Sequence, residues 1–198
     1  MMEAMRILKK VYPNPKRTIL AGHSGSEEQG LNGSSSFVED YPEIVKNVQA
    51  VFNQDNGTGR VVRINGAGFL HSYDYISRWL TAVPDTISRH IETTFPGRPS
   101  RGGSDNASFV TSGAPAFNLS SLSWDYWNYT WHTNRDTYDK IVFDEVQSNV
   151  ILTAIMAYMA SEDDAKTSRE KVVLPIDEKT GEAKAWPSPR TPKRKGVM

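Results

Sequence analysis

The sequence predicts an α/β protein, a mostly parallel mixed sheet covered by helices on both faces in a three-layer α/β/α sandwich. Three observations lead there. Short apolar runs (RTILAG at 17–22, VQAVF at 48–52, APAFNL at 114–119) alternate with helical patterns, as a sheet covered on both faces requires. Polar and glycine-bearing loops follow the ends of those runs, where open α/β sheets place their sites. A long segment from Asp144 to Met159 carries an apolar stripe at Val146, Val150, Ile151, Ala154, Ile155 and Tyr158, the spacing of a covering helix.

Taken in order, Met1 to Arg17 reads as the back half of an amphipathic helix, with Met5, Ile7 and Leu8 on one side and a stop near Pro13 and Pro15. It has neither the apolar stretch nor the cleavage site of a signal peptide, and a chain that opens in mid-element is expected to have lost something before it. Residues 17–22 predict a buried strand, and 24–33 the loop that ends it. Ser36 and Glu39 have capping-box spacing and predict a short helix. Residues 48–52 predict a second strand and Val61–Ile64 an edge strand or hairpin arm. Helical patterns follow at Tyr73–Leu80 and from Asp85 through Ile91, and Asp105 is placed to cap a helix over Ala107–Val110. APAFNL predicts the third core strand, and the aromatic stretch WDYWNYTWHT separates it from the long helix.

Residues 1–164 are expected to form the folded body and residues 165–198 a basic tail, with one edge strand around Val172–Ile176 and disorder from Pro187. The tail holds 9 Lys or Arg against 4 Asp or Glu, and 4 of the 11 prolines. Over the whole chain 23 basic residues balance 23 acidic ones, which argues against nucleic-acid binding. No apolar run reaches 18 residues, so no membrane span is expected. The absence of cysteine excludes disulfides, thiol catalysis and Cys-based zinc sites, so any metal would rest on His, Asp and Glu.

Glu27 and Glu28 read either as solvated loop carboxylates or as a split pair, one binding metal and one taking a proton from metal-bound water. Asp55, in an Asn-Gln-Asp-Asn-Gly stretch, reads as an Asx-turn former or a ligand, and His132 as a surface histidine or a ligand. Oxygen and imidazole groups converging on one sheet edge are what a hydrolytic zinc site needs.

The ordered elements RTIL, SEEQGLNGS (26–34), NQD (53–55), GSDNASF (103–109) and HTNRDTYDKI (132–141) resemble the M28 family of zinc aminopeptidases and carboxypeptidases over about residues 5 to 160. The resemblance implies a zinc-exopeptidase-like sandwich missing its first strands. It also implies a zinc-dependent exopeptidase, aminopeptidase-like, hydrolysing peptide bonds through metal-activated water. Glu27 would then be the general base, Glu28 and His132 ligands of one zinc and Asp55 a ligand of a second. The expected partner is a peptide with a free amino terminus, with self-association possible through an open sheet edge. Asp136 reads as an imidazole partner or a helix cap. Tyr129 and Trp131 read as pocket wall or core, and Arg101 as a substrate-carboxylate contact or a solvated arginine. Asp105 and Asn106 complete the candidate pocket, Asn106 standing where relatives often carry His.

The family supplies a further His and a bridging Asp from before the Glu-Glu element. Here the 26 preceding residues contain His23 but no Asp. The alternatives are therefore an inactive fragment or a non-catalytic M28-fold binding protein, and, within the family, glutamate-carboxypeptidase-like or glutaminyl-cyclase-like action.

Overall fold

The apolar run at 114–119 becomes the centre of the molecule. In the computed structural model, which describes residues 1–194, strand β4 (Ala116–Ser121) pairs in parallel with β1 (Val51–Asn53). On its other side it pairs antiparallel with β2 (Val61–Asn65), and β2 continues in parallel to β3 (Glu92–Thr94). The order β1-β4-β2-β3 is thus a mixed, mostly parallel four-stranded sheet. Phe117 and Leu119 of β4 are fully buried, as expected of a strand covered on both faces.

Helix α6 (Asn106–Thr111) packs on β1 and β4, with α2 (Asn32–Asp40) outside it and α3 (Pro42–Asn47) following α2. α4 (Ser72–Leu80) and α8 (Phe143–Glu162) pack together, and α1 (Met2–Val11) covers α8 from outside. Short α5 (Asp85–Ser88) and α7 (Tyr126–Tyr129) complete the set. The main core joins Ile64, Phe69, Ile76, Trp79, Phe117, Leu119, Leu152 and Met156, each fully buried. A smaller cluster of Ala4, Leu8 and Ala154, flanked by Ile19, Val150 and Tyr158, seats α1 on α8.

Several local expectations are corrected. RTILAG is not a strand: among the described residues, 17–22 make no backbone–backbone hydrogen bond and join no sheet, and β1 pairs with β4 instead. Residues 61–64 form neither an edge strand nor a hairpin arm but an interior strand, since β3 supplies an outer partner that its exposed, polar Glu-Thr-Thr sequence does not announce. Helix α2 starts at Asn32, four residues before the capping-box serine, behind Leu31 in a left-handed conformation (φ 63°). The long helix buries a different stripe from the one its apolar residues mark. Glu145, Asn149, Leu152, Met156 and Ala160 are buried, the last three against the sheet core, whereas Val150, Ala154 and Tyr158 meet α1.

Residues 165–194 run along the body. Arg169 donates to the carbonyls of Val45 and Val48 behind α3 and of Gly113, at 2.8–2.9 Å. Lys171 bridges Phe69 in antiparallel fashion, and Ile176 bridges Ala183. The Trp186 ring lies edge-on to Phe69 and its Nε1 donates to the Val110 carbonyl at 3.0 Å. The last four residues of the expected tail, 195–198, lie outside the described residues. Among the described residues no helix is long and apolar enough to cross a membrane.

Candidate functional site

Candidate polar residues lie beyond the carboxyl end of β1 and in the loops around it. The first piece is the loop carrying Glu27 and Glu28. Gly33 N–H donates to the Gly25 carbonyl (2.9 Å), Asn32 to Ser26 (3.1 Å), and Gly30 and Leu31 to Glu27 (2.9 and 2.8 Å), which ties the loop into a closed turn. The closure needs Ser26 in a left-handed conformation (φ 56°) and a glycine at 33, where a Cβ would come within 2.4 Å of the Gly25 carbonyl oxygen.

Asp55 stands two residues beyond β1, its Oδ2 accepting from Ser104 Oγ at 2.7 Å. Asn53, at the last position of β1, donates to Ser104 Oγ at 2.8 Å, and it lies in register with Asn118 of β4. Asn53 thus links the end of β1 to the loop before α6, beside Asn118 in the middle of β4. No motif announces this polar pair; the signal in the sequence is that an asparagine closes the run VQAVF and another interrupts APAFNL.

His23, Ser24, Glu27, Asn53, Gln54, Asp55 and Asp105 line a cleft of about 240 Å³. Burial, followed by repulsion from Asp55, Glu28 and Asp105, raises the pKa of Glu27 above the ordinary carboxylate value, against a smaller opposing pull from His132. Asp105 Oδ1 is buried and accepts no hydrogen bond among the described residues. Asp105 sits at the N-cap position of α6 but makes no side-chain cap, contrary to its expected role there.

His132 arrives from the aromatic loop in a left-handed conformation (φ 56°), its ring stacked on Trp131 at 4.1 Å. Its Nε2 donates to Glu28 Oε1 at 2.8 Å, because an ionised carboxylate can only accept. Asp136 makes no hydrogen bond to this imidazole; with Asp55, Glu28 and Glu27 it adds to the burial that raises the Tyr126 pKa. Tyr129 and Trp131 are 44% and 42% exposed, so neither belongs to the core, and Arg135 lies over the Tyr129 ring. Asn106 opens α6, and Arg101 is exposed, its carbonyl accepting from Arg190 Nε at 2.9 Å.

The donor set does not fit zinc. Among the described residues no group of three His, Asp or Glu side chains is placed to hold a metal ion. A catalytic zinc needs three protein ligands and an open position. Glu28 and His132 instead pair with each other. Asp55 is held by Ser104. The expectations of a zinc-dependent exopeptidase, of zinc as cofactor and of a metal-binding chain are therefore corrected.

Comparison with known proteins agrees with the fold. The chain is 29% identical over 167 residues to leucine aminopeptidase 1 of Coccidioides posadasii, a match covering 79% of this chain and 43% of that protein. Leucine aminopeptidase 1 of Pyrenophora tritici-repentis is 26% identical over the same shares. The chain thus spans less than half the length of the curated relatives it matches. Among solved structures, a peptidase M28 precursor from Shewanella amazonensis superposes with a TM-score of 0.70 at 21% identity, over 84% of this chain and 36% of that one. The LapA aminopeptidase of Legionella pneumophila gives 0.60 at 23%, over 82% and 44%. These likenesses show the α/β sandwich. The model of peptidase family M28 matches residues 1–157, most of the chain, and this protein belongs to that family.

Proposed function

We propose that this chain acts as a non-catalytic M28-fold binding protein that holds the amino end of a peptide in the carboxylate-lined cleft. The observation that carries the reading is the donor set: Glu27, Asp55 and Asp105 surround one cleft, yet no three ligands converge to hold a metal there. Such a cleft favours a monovalent cation with hydrogen-bond donors, and a peptide ammonium brings three. Asp105 Oδ1 is a buried acceptor without a partner among the described residues, on a residue that lines that cleft. Trp127 and Trp131, in edge contact at 5.2 Å and half-exposed, offer an apolar wall beyond Glu28 and His132 for the first side chain. The name of the curated relatives, leucine aminopeptidase, supports an amino terminus rather than a carboxyl terminus as the recognised group. In this reading Glu27, Asp55 and Asp105 face the ammonium, Glu28 orients His132, and Tyr129, Asp136, Asn106 and Arg101 flank the peptide. Residues 1–164 are the binding body and 165–198 an appended segment.

The test is calorimetric titration of the full chain with a leucine-initiated peptide and its N-acetylated counterpart. Acetylation removes the charge and should abolish binding; equal affinity for both would refute the reading. At about 4 Å in a water-like dielectric each carboxylate contributes ~1 kcal/mol, so Glu27→Gln and Asp55→Asn should each weaken binding about fivefold. Glu27-dependent hydrolysis of leucyl-p-nitroanilide by the zinc-loaded chain would overturn the non-catalytic part.

A second contact follows from the sheet edge. β1 bonds only to β4, and an unpaired edge is a template for another strand. We propose that two copies associate there; light scattering should show a concentration-dependent dimer, and a monomer at every concentration would sink the idea.

A further inference from the structure

We propose that Trp186–Arg194 is a latch that holds the two site loops together, with Arg190 as its pin. The segment lies beyond the family match, which ends at residue 157. Its contacts run from α6 to the end of α2 and pass over the loops that carry the cleft residues. Trp186 anchors one end, seated on Phe69 and bonded to the Val110 carbonyl of α6, with Lys171 Nζ over its other face at 4.7 Å. Arg194 anchors the other, donating to both oxygens of Asp40 at 2.8 and 3.1 Å at the end of α2. Pro192 is buried beneath the segment, and the Lys193 N–H donates to Asn32 Oδ1 at 3.0 Å.

Between these anchors Arg190 spans the gap. Its Nε donates to the Arg101 carbonyl at 2.9 Å. Its two terminal nitrogens lie against glycines of different loops: a Cβ built on Gly30 would be 3.6 Å from Nη1, and one on Gly102 only 3.0 Å from Nη2. Gly30 is two residues after Glu28, and Gly102 two residues before Ser104. One guanidinium thus lies between the Glu27–Glu28 loop and the loop leading to Ser104 and Asp105. A side chain at 102 would have to shift the end of Arg190 by a few tenths of an ångström, whereas at 30 the spacing is that of ordinary van der Waals contact. Neither loop is otherwise bonded to the other through its backbone among the described residues. The latch therefore sets how far apart Glu27 and Asp105 stand, and it does so whether or not the cleft binds a peptide.

Hydrogen–deuterium exchange on the full chain tests this without any ligand. Arg190→Ala should raise amide exchange about tenfold in peptides covering 25–33 and 97–105, roughly the weight of one charge-assisted hydrogen bond, while α8 is unchanged. Arg190→Lys keeps a donor for the Arg101 carbonyl and should restore most of the protection. Arg190 is exposed, so neither variant threatens the core. Unchanged exchange in both loops, or an increase spread equally over α8 and the sheet, would overturn the proposal. Failure of the peptide titration with this exchange pattern intact would refute the binding reading alone.

Discussion

Asn149 is where α8 is stitched to the sheet, and replacing it reads out that joint. Its Oδ1 accepts from Val61 N–H and its Nδ2 donates to the Gly59 carbonyl, both at 2.8 Å. Asn149 is 6% exposed and Val61 2%, so water cannot take over either bond. Asn149→Ala leaves one buried N–H and one buried C=O unpaired, at about 1–3 kcal/mol each, for a total of roughly 2–6 kcal/mol. That is a large part of the ~5–15 kcal/mol that holds a typical protein folded. Urea denaturation at pH 7, followed by tryptophan fluorescence, should show the midpoint falling with an unchanged slope. Asn149→Asp is the sharper control. Ionised, its second oxygen faces the Gly59 carbonyl and repels it; protonated, it donates there and restores the bond. The folded-state pKa of that aspartate is therefore raised above its unfolded value. Its stabilisation is complete below the unfolded pKa and is lost as pH rises through the folded one. Measured against the parent at each pH, the deficit of Asn149→Asp should shrink on acidification while that of Asn149→Ala stays constant. A loss below about 0.5 kcal/mol for the alanine variant, or a pH-independent deficit for the aspartate, would refute the bonding scheme.

Arg60 donates to Glu145 through its backbone N–H, Nε and Nη2, which holds the Glu145 carboxyl below its ordinary value of 4.5. Its stabilisation is present above that value and lost as pH falls through the depressed one, so acid melts should be shallower below pH 4.5 in Glu145→Gln. Trp79→Phe keeps the buried ring but removes the Nε1 bond to Asp163 Oδ2 (2.8 Å), and should cost about 1–2 kcal/mol in the same urea assay. Arg169→Lys should be nearly as damaging as Arg169→Ala, because an ammonium cannot reach the three carbonyls that the planar fork spans; rescue by lysine in thermal melts would contradict that geometry. Added zinc should leave the melting temperature unchanged, whereas a resident site would raise it with the logarithm of zinc concentration above its Kd.

The contrast within α8 shows how far patterning reaches. Its apolar residues mark a stripe correctly as helical, yet that stripe serves two partners, α1 on one side and the sheet on the other. The sheet-facing row begins with Glu145 and Asn149, which no hydrophobic pattern would place inside. They are buried because Arg60, Gly59 and Val61, some 85–90 residues earlier, satisfy them. The strand expected at RTILAG fails for a related reason. A strand exists only with a partner, and nothing local in six residues says whether one is present.

The order of motifs and the alternation of apolar runs with helical patterns were enough to read the fold class and the family, because these depend on residue type and spacing along the chain. Whether Glu28 and His132 serve a metal or each other depends on distances between segments 104 residues apart. The same holds for the basic tail. Its composition predicts an appendage, but Arg190, Lys193 and Arg194 find their partners on α2 and the glycine loop only once both are folded. Composition and spacing are local properties that survive in an unfolded chain. A ligand set, a latch and a paired buried carboxylate exist only where distant groups meet, and tertiary structure alone decides that.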